Sequence, residues 1–279
     1  MTDDAVLNAI ATAALLQPGD PVLEIGPGTG ALTHHLLATG ASITAVEKDE
    51  ALFLRLGGGG GGGGDDEESM NFTEQDVNFI CGDILRLDLP QLLDSISSNS
   101  ESENEHNKGK VKVVANLPYY ITKDFLTRAL PLSDRVSHLL LMLQDEVALR
   151  LTAPTPGGPE WRAMNIIVQY YSEASYLFKI DRKKYIPVPK VDGAVVDFRL
   201  KGVEERVPVP DERRFISLVK KSFLQRRKAL RNSLQPLVPG DVAVRALEAV
   251  GLSPDARAQE LGLEEFARLS WEVERLMNA

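Results

Sequence analysis

A chain of 279 residues with 43% hydrophobic content is long enough for one α/β domain of ordinary size plus a smaller appended one. The single cysteine, Cys81, excludes an intrachain disulfide and fits a reducing compartment; it lies in the apolar run VNFIC and reads as a small core residue. Four histidines (His34, His35, His106, His138) stand apart from any ligand cluster, so no metal site is predicted. Of the formal charge of −9, four belong to Asp65–Glu68 and a net one to residues 95–110; the body of the chain carries about −4, and its acidity excludes no polyanionic partner.

The chain begins with TDDAVLNAIATAALL, which reads as a capped amphipathic helix. It is neither a signal nor a transit peptide, and no apolar run reaches the roughly 20 residues of a membrane span, so no membrane partner is expected. PVLEI follows as a buried strand and leads into the turn EIGPGTG and the helix ALTHHLLATG. Glycines there let the backbone approach a ligand, and a helix start offers unpaired N–H groups. By itself such a turn fits a dinucleotide, another nucleoside cofactor or a mere change of direction. The next strand, SITAVE, ends on Glu47, about 20 residues beyond the glycines, where a carboxylate can take a ribose diol. Gly26, Gly28 and Gly30 alternate rather than following the G-x-G-x-x-G spacing of a pyrophosphate site.

After the helix DEALFLRL comes an unbroken glycine run, Gly57 to Gly64, with DDEES behind it. It reads as a flexible loop insertion, as does SISSNSESENEHNKGK from Ser95 to Lys110. Between them VNFICGD forms a third strand, with Asp83 at the edge where a cofactor's adenine ring would lie. VKVVAN is the fourth strand, KDFLTRAL a helix and VSHLLLML a fifth strand; after the helical WRAMNIIVQYYSE come two further strands, SYLFKI and AVVDFRL. Alternating strands and helices predict βαβ units around a parallel sheet. The expected division is a Rossmann-like cofactor-binding catalytic domain over 1–202, then, past the linker EERVPVPDE, a small all-helical domain over 203–279.

The fourth strand ends in NLPYY. Ligands bind outside the carboxyl ends of the strands, so Asn116 faces the same crevice as Gly26, Glu47 and Asp83. An adenine N6 amine is a weak nucleophile because its lone pair is delocalised into the ring. Two acceptors on its hydrogens, the Asn116 side-chain oxygen and the Leu117 carbonyl, would localise that pair. Pro118 restricts Leu117 to an extended conformation, and Tyr119 would stack on the extruded base. From Arg213 to Arg231 the chain has eight cations and no acid, a pattern that fits phosphate binding, with Arg226, Arg227, Lys228 and Arg231 at its C-terminal end. Phe215, Leu218, Val219 and Phe223 fall at helical spacing and are expected in the core.

The stretches VLEIGPGTGALT, AVEKD, GDIL, VVANLPYYIT, MLQDEVALRL, YIPVPKVDGAVV, FLQRRKALRNSL and RAQELGLEEFARLS, in that order, resemble the ribosomal RNA adenine dimethyltransferase family. The resemblance runs from about Val22 to Ser270, interrupted by the two insertions. It implies a class I methyltransferase fold and S-adenosylmethionine as methyl donor, held by Gly26, Gly28, Glu47, Asp83 and Asn116. It also implies dimethylation of N6 of two adjacent adenines in the 3′-terminal hairpin loop of small-subunit rRNA, with Tyr185 of YIPVPKV as a second base contact. The implied partner is the rRNA of the pre-ribosomal small subunit, and the free chain is expected to be a monomer. The family opens with a Gln-Asn-Phe-Leu segment that closes over the donor; this sequence begins just beyond it, and donor affinity is expected to fall without it. WRAMNIIV looks like plastid members and the low-complexity insertions look eukaryotic, which together point to a nuclear-encoded chloroplast enzyme, with a cytoplasmic location as the alternative. Two other readings stand beside the enzyme: an rRNA-binding assembly factor that retains the fold without catalysis, and a nicotinamide-dependent dehydrogenase, which the alternating glycines disfavour.

Overall fold

The central strands of the sheet are short apolar runs, and some of the helices between them are capped by side chains. In the computed structural model, which describes residues 3–57, 72–73, 76–98, 109–118, 120–152, 155–225 and 228–278, the first helix is α1 (Asp4–Ala13), where the Asp3 carboxylate accepts from Val6 N at 3.1 Å. Then follow β1 (Pro21–Ile25), α2 (Ala31–Leu37), β2 (Ser42–Glu47) and α3 (Glu50–Arg55), the last capped by Asp49. β3 (Val77–Cys81), α4 (Leu89–Ser98), β4 (Val111–Asn116), α5 (Thr122–Ala129) and β5 (Val136–Gln144) continue the alternation. α6 (Asp145–Thr152) and α7 (Ala163–Tyr171) precede β6 (Ser172–Ile180) and β7 (Gly193–Leu200). The remaining helices are α8 (Glu212–Leu224), α9 (Leu230–Ser233), α10 (Gly240–Ala249) and α11 (Leu263–Met277).

The seven strands form one sheet in the order β3-β2-β1-β4-β5-β7-β6. β1 to β5 pair in parallel, as the βαβ pattern requires, and β7 runs antiparallel to β5. Val22, Ile43, Val114, Leu140, Met142 and Val195 meet Leu7, Ile10 and Leu36 in one buried cluster, each large side chain contributing roughly 1.5–3 kcal/mol. Lys112 interrupts the apolar run of β4, and its buried ammonium is answered by Asp20 at 3.1 Å and the Leu15 carbonyl at 2.5 Å.

Two expectations change. Cys81 is exposed, because it closes β3, the edge strand of the sheet. Ser95–Ser98, read as part of a flexible insertion, continue α4: Leu89, Leu93 and Ile96 lie at helical spacing and are all buried, which overrides the serine-rich composition. The rest of that insertion over 99–108, and the glycine run with its acidic tail over 58–71, lie outside the described residues.

The chain divides into two compact units, Met1–Ala148 with Ala174–Leu200, and Leu149–Glu173 with Lys201–Ala279. The second is helical and takes in α7 and the segment before it. Within it Phe215, Leu218 and Val219 of α8 are buried, and the rings of Phe223 and Phe266 lie 5.9 Å apart. Trp161 is buried and donates through Nε1 to the Leu261 carbonyl at 2.9 Å. Glu212 accepts from the Tyr171 hydroxyl at 2.9 Å and Arg206 Nη1 at 2.6 Å. Among the described residues no helix is long and apolar enough to cross a membrane.

Candidate active site

Strand register brings the predicted residues to one edge. Ile25 pairs with Val46 on one side and with Ala115 on the other, so Gly26 lies between Glu47 and Asn116; Glu47 in turn pairs with Cys81, two residues before Asp83. Gly26 N donates to Val46 O at 2.9 Å, and a Cβ at Gly26 would stand 3.8 Å from the Asn116 carbonyl oxygen. The alternating glycines differ in role. Gly28 has φ +62° and nothing within 4 Å of a Cβ position, which leaves open space beside its backbone. At Gly30 a Cβ would come within 2.5 Å of the Phe72 ring and 2.9 Å of Leu56, so that glycine serves packing.

Glu47 clamps the glycine turn. Its Oε2 accepts from Gly28 N at 3.1 Å and its Oε1 from Asp49 N at 2.9 Å, leaving each oxygen a second lone pair. Asp83 Oδ1 accepts from Leu85 N at 3.0 Å, and Oδ2 pairs with Lys48 Nζ at 2.9 Å. The Lys48 ammonium, then the Leu85 N–H, hold the Asp83 carboxyl below its ordinary range. Asn116, half-buried, makes no side-chain hydrogen bond among the described residues. Leu117 is buried, Pro118 is exposed, and Ile121 N donates to Pro118 O at 3.0 Å to close the turn. Tyr119 lies outside the described residues; its neighbour Tyr120 is 76% exposed. Tyr185 is half-buried against the core cluster, its hydroxyl so close to Gly193 that a Cβ there would stand 2.5 Å from it.

Glu24 was not legible as a site residue. It lies on the central strand β1, is 2% exposed, and its Oε2 has no hydrogen-bond partner among the described residues. Burial pushes its carboxyl up to about 7, with the Thr33 hydroxyl pulling the other way and the Glu47 charge adding to the rise. A carboxyl raised above its ordinary value of 4.5 binds more protons folded than unfolded, so stability falls as pH rises from about 4.5 through about 7. Chemical denaturation of Glu24→Gln across that window is expected to lose this decline, on the order of 3 kcal/mol in the parent. An equally steep decline in both proteins would show that burial does not raise the Glu24 carboxyl above its ordinary value.

In the helical unit the cations of the acid-free run are not all unpaired. Arg214 pairs with Glu274 and Arg231 with Asp255, acids that come from distant sequence. Lys220, Lys221 and Lys228 are exposed, while Arg226 and Arg227 lie outside the described residues. Among the described residues no three His, Cys, Asp or Glu side chains are grouped to hold a metal ion.

A sheet of this order, with a glycine turn after β1 and acids at the ends of β2 and β3, defines a Rossmann-like class I methyltransferase, a class that uses S-adenosylmethionine. Residues 1–274 match the ribosomal RNA adenine dimethylase family, and the chain belongs to that family. It is an rRNA adenine dimethyltransferase. Similar proteins include the chloroplastic ribosomal RNA small subunit methyltransferase of Arabidopsis thaliana, 36% identical over 96% of this chain and 75% of that one. Ribosomal RNA small subunit methyltransferase A of Moorella thermoacetica is 37% identical over 97% of this chain and 88% of its own length. In fold, the chain is similar to a dimethyladenosine transferase from Plasmodium falciparum, at TM-score 0.73 and 20% identity, covering 99% of this chain and 97% of that one. The 23S rRNA methyltransferase ErmE aligns at TM-score 0.64 and 23% identity, over 98% and 99%.

Proposed function

We propose that this enzyme dimethylates N6 of two adjacent adenines in the 3′-terminal hairpin loop of small-subunit rRNA, as a step in ribosome biogenesis in the chloroplast, and acts on its RNA as a monomer. The observation that carries the reading is the register that sets Asn116 beside Gly26 and one strand from Glu47, so that methyl donor and target amine share one edge. The residues fit the donor. The open space at Gly28 admits its backbone-proximal part, Glu47 has lone pairs left for a ribose diol, and Asp83 is an acceptor for an adenine amine once Lys48, 65% exposed, swings away.

When bound, the sulfonium supplies an activated methyl that needs no strong base. Asn116 and the Leu117 carbonyl would accept the two N6 hydrogens and turn the nitrogen lone pair toward the donor's methyl, with the displaced N6 proton lost to water. Catalysis here is mostly positioning. Pro118 fixes the Leu117 carbonyl, and Tyr119 and Tyr185 hold the extruded base. Arg226, Arg227, Lys228 and Arg231, with Lys220 and Lys221, take the RNA backbone. Recognition would come largely from the shape of a splayed single-stranded loop.

Primer extension on unmethylated small-subunit RNA tests the target: strong stops at two adjacent adenines of the 3′-terminal hairpin are expected, and methylation only elsewhere overturns the assignment. Lys220→Ala/Lys221→Ala/Lys228→Ala is expected to flatten the slope of log affinity against log salt by about 2, with rate at saturating RNA little changed. An unaltered salt slope would remove these cations from the RNA surface.

A further inference from the structure

Arg128 stands in the last turn of α5, the helix that continues directly from the Asn116-Leu117-Pro118 turn. Ile121 N donates to Pro118 O and Phe125 N to Ile121 O, at 3.0 and 2.9 Å. Phe125 and Leu126 are each 1% exposed, so α5 is seated in the core rather than free to pivot. The Arg128 guanidinium reaches across to the connection after β3: Nη1 donates to Ile84 O at 2.8 Å and Nη2 to Leu87 O at 2.6 Å. That connection is the tight turn on which Asp83 sits, with Arg86 N and Leu87 N donating back to Asp83 O at 2.8 and 3.1 Å.

We infer that Arg128 is a positioning residue, which holds the Asp83 turn in register with the Asn116 turn and so sets the donor's adenine edge relative to the target amine. The inference rests on the proposed contact between Asp83 and that adenine. A guanidinium suits the task because its planar fork presents two donors at fixed separation, and both bonds are charge-assisted. Without it the turn after β3 keeps its own backbone hydrogen bonds, so position is lost rather than fold. Lysine, a single point charge on a flexible stem, engages one carbonyl at a time and restores the arrangement only in part.

Calorimetric titration with S-adenosylmethionine, and with its hypoxanthine analogue in which a carbonyl replaces the N6 amine, tests this directly. Arg128→Ala is expected to weaken donor binding about ten-fold and to shrink the preference for adenine over hypoxanthine. Arg128→Lys is expected to fall between it and the parent in both readouts. Should the alanine variant not fold, the lysine variant gives the same readouts. Parent-like donor affinity and adenine preference in both variants, even with a lowered melting temperature, would overturn the inference. Asp83→Asn separates the two layers. If it leaves donor affinity and base preference unchanged, the Asp83 contact itself fails; if it lowers both while the Arg128 variants do not, only the role of Arg128 fails.

Discussion

Replacing Asn116 by alanine is expected to lower methyl transfer about a thousand-fold, the scale on which removing one preorganised polar group from a transition state is felt. The loss should appear in kcat, because an acceptor on the N6 hydrogens strengthens only as the nitrogen lone pair is drawn out of the ring and toward carbon. Folding should be little affected, since the half-buried amide makes no hydrogen bond among the described residues. Single-turnover kinetics with saturating RNA and donor measure the chemical step, and thermal melts followed by circular dichroism confirm the fold. A variant that transfers methyl at more than a tenth of the parent rate would show that Asn116 is not an acceptor for the amine.

The second large effect is expected at Glu47. Its two carboxylate oxygens hold the N–H groups of Gly28 and Asp49, on either side of the proposed ribose position. Glu47→Ala therefore removes the diol acceptor and releases the glycine turn together. Two lost hydrogen bonds to a charged group weaken donor binding about a hundred-fold or more. Glu47→Gln keeps one carbonyl oxygen to accept but places an amide against an N–H donor, so an intermediate loss is expected. Equilibrium titration with S-adenosylmethionine in the absence of RNA reads both. Unchanged affinity in the alanine variant would place the ribose elsewhere.

Much of the sheet was legible because buried parallel strands are continuous apolar runs, and PVLEI, SITAVE and VKVVAN stop at a glycine, an acid and an amide. The register that aligns Gly26, Glu47 and Asn116 follows from parallel pairing once the strand order is known. Other features depended on contacts no local pattern carries. Serine-rich composition concealed the end of α4, where three apolar residues at helical spacing decide the conformation. Cys81 looked like core until β3 was found at the sheet edge. The run from Arg213 to Arg231 contains no acid, yet Glu274 and Asp255 reach Arg214 and Arg231 through the fold. Lys48 and Arg128 bind the Asp83 turn from a neighbouring strand end and a distant helix, and nothing in GDIL or KDFLTRAL announces either contact.

The central claim is that one edge of the sheet brings methyl donor and adenine amine together. Its most direct test is transfer of labelled methyl groups from S-adenosylmethionine to unmethylated small-subunit RNA, with the nucleosides resolved by mass spectrometry. The account predicts label in N6,N6-dimethyladenosine with the parent chain and none above background with the folded Asn116→Ala variant; equal incorporation by the two, or a label confined to other nucleosides, would contradict it.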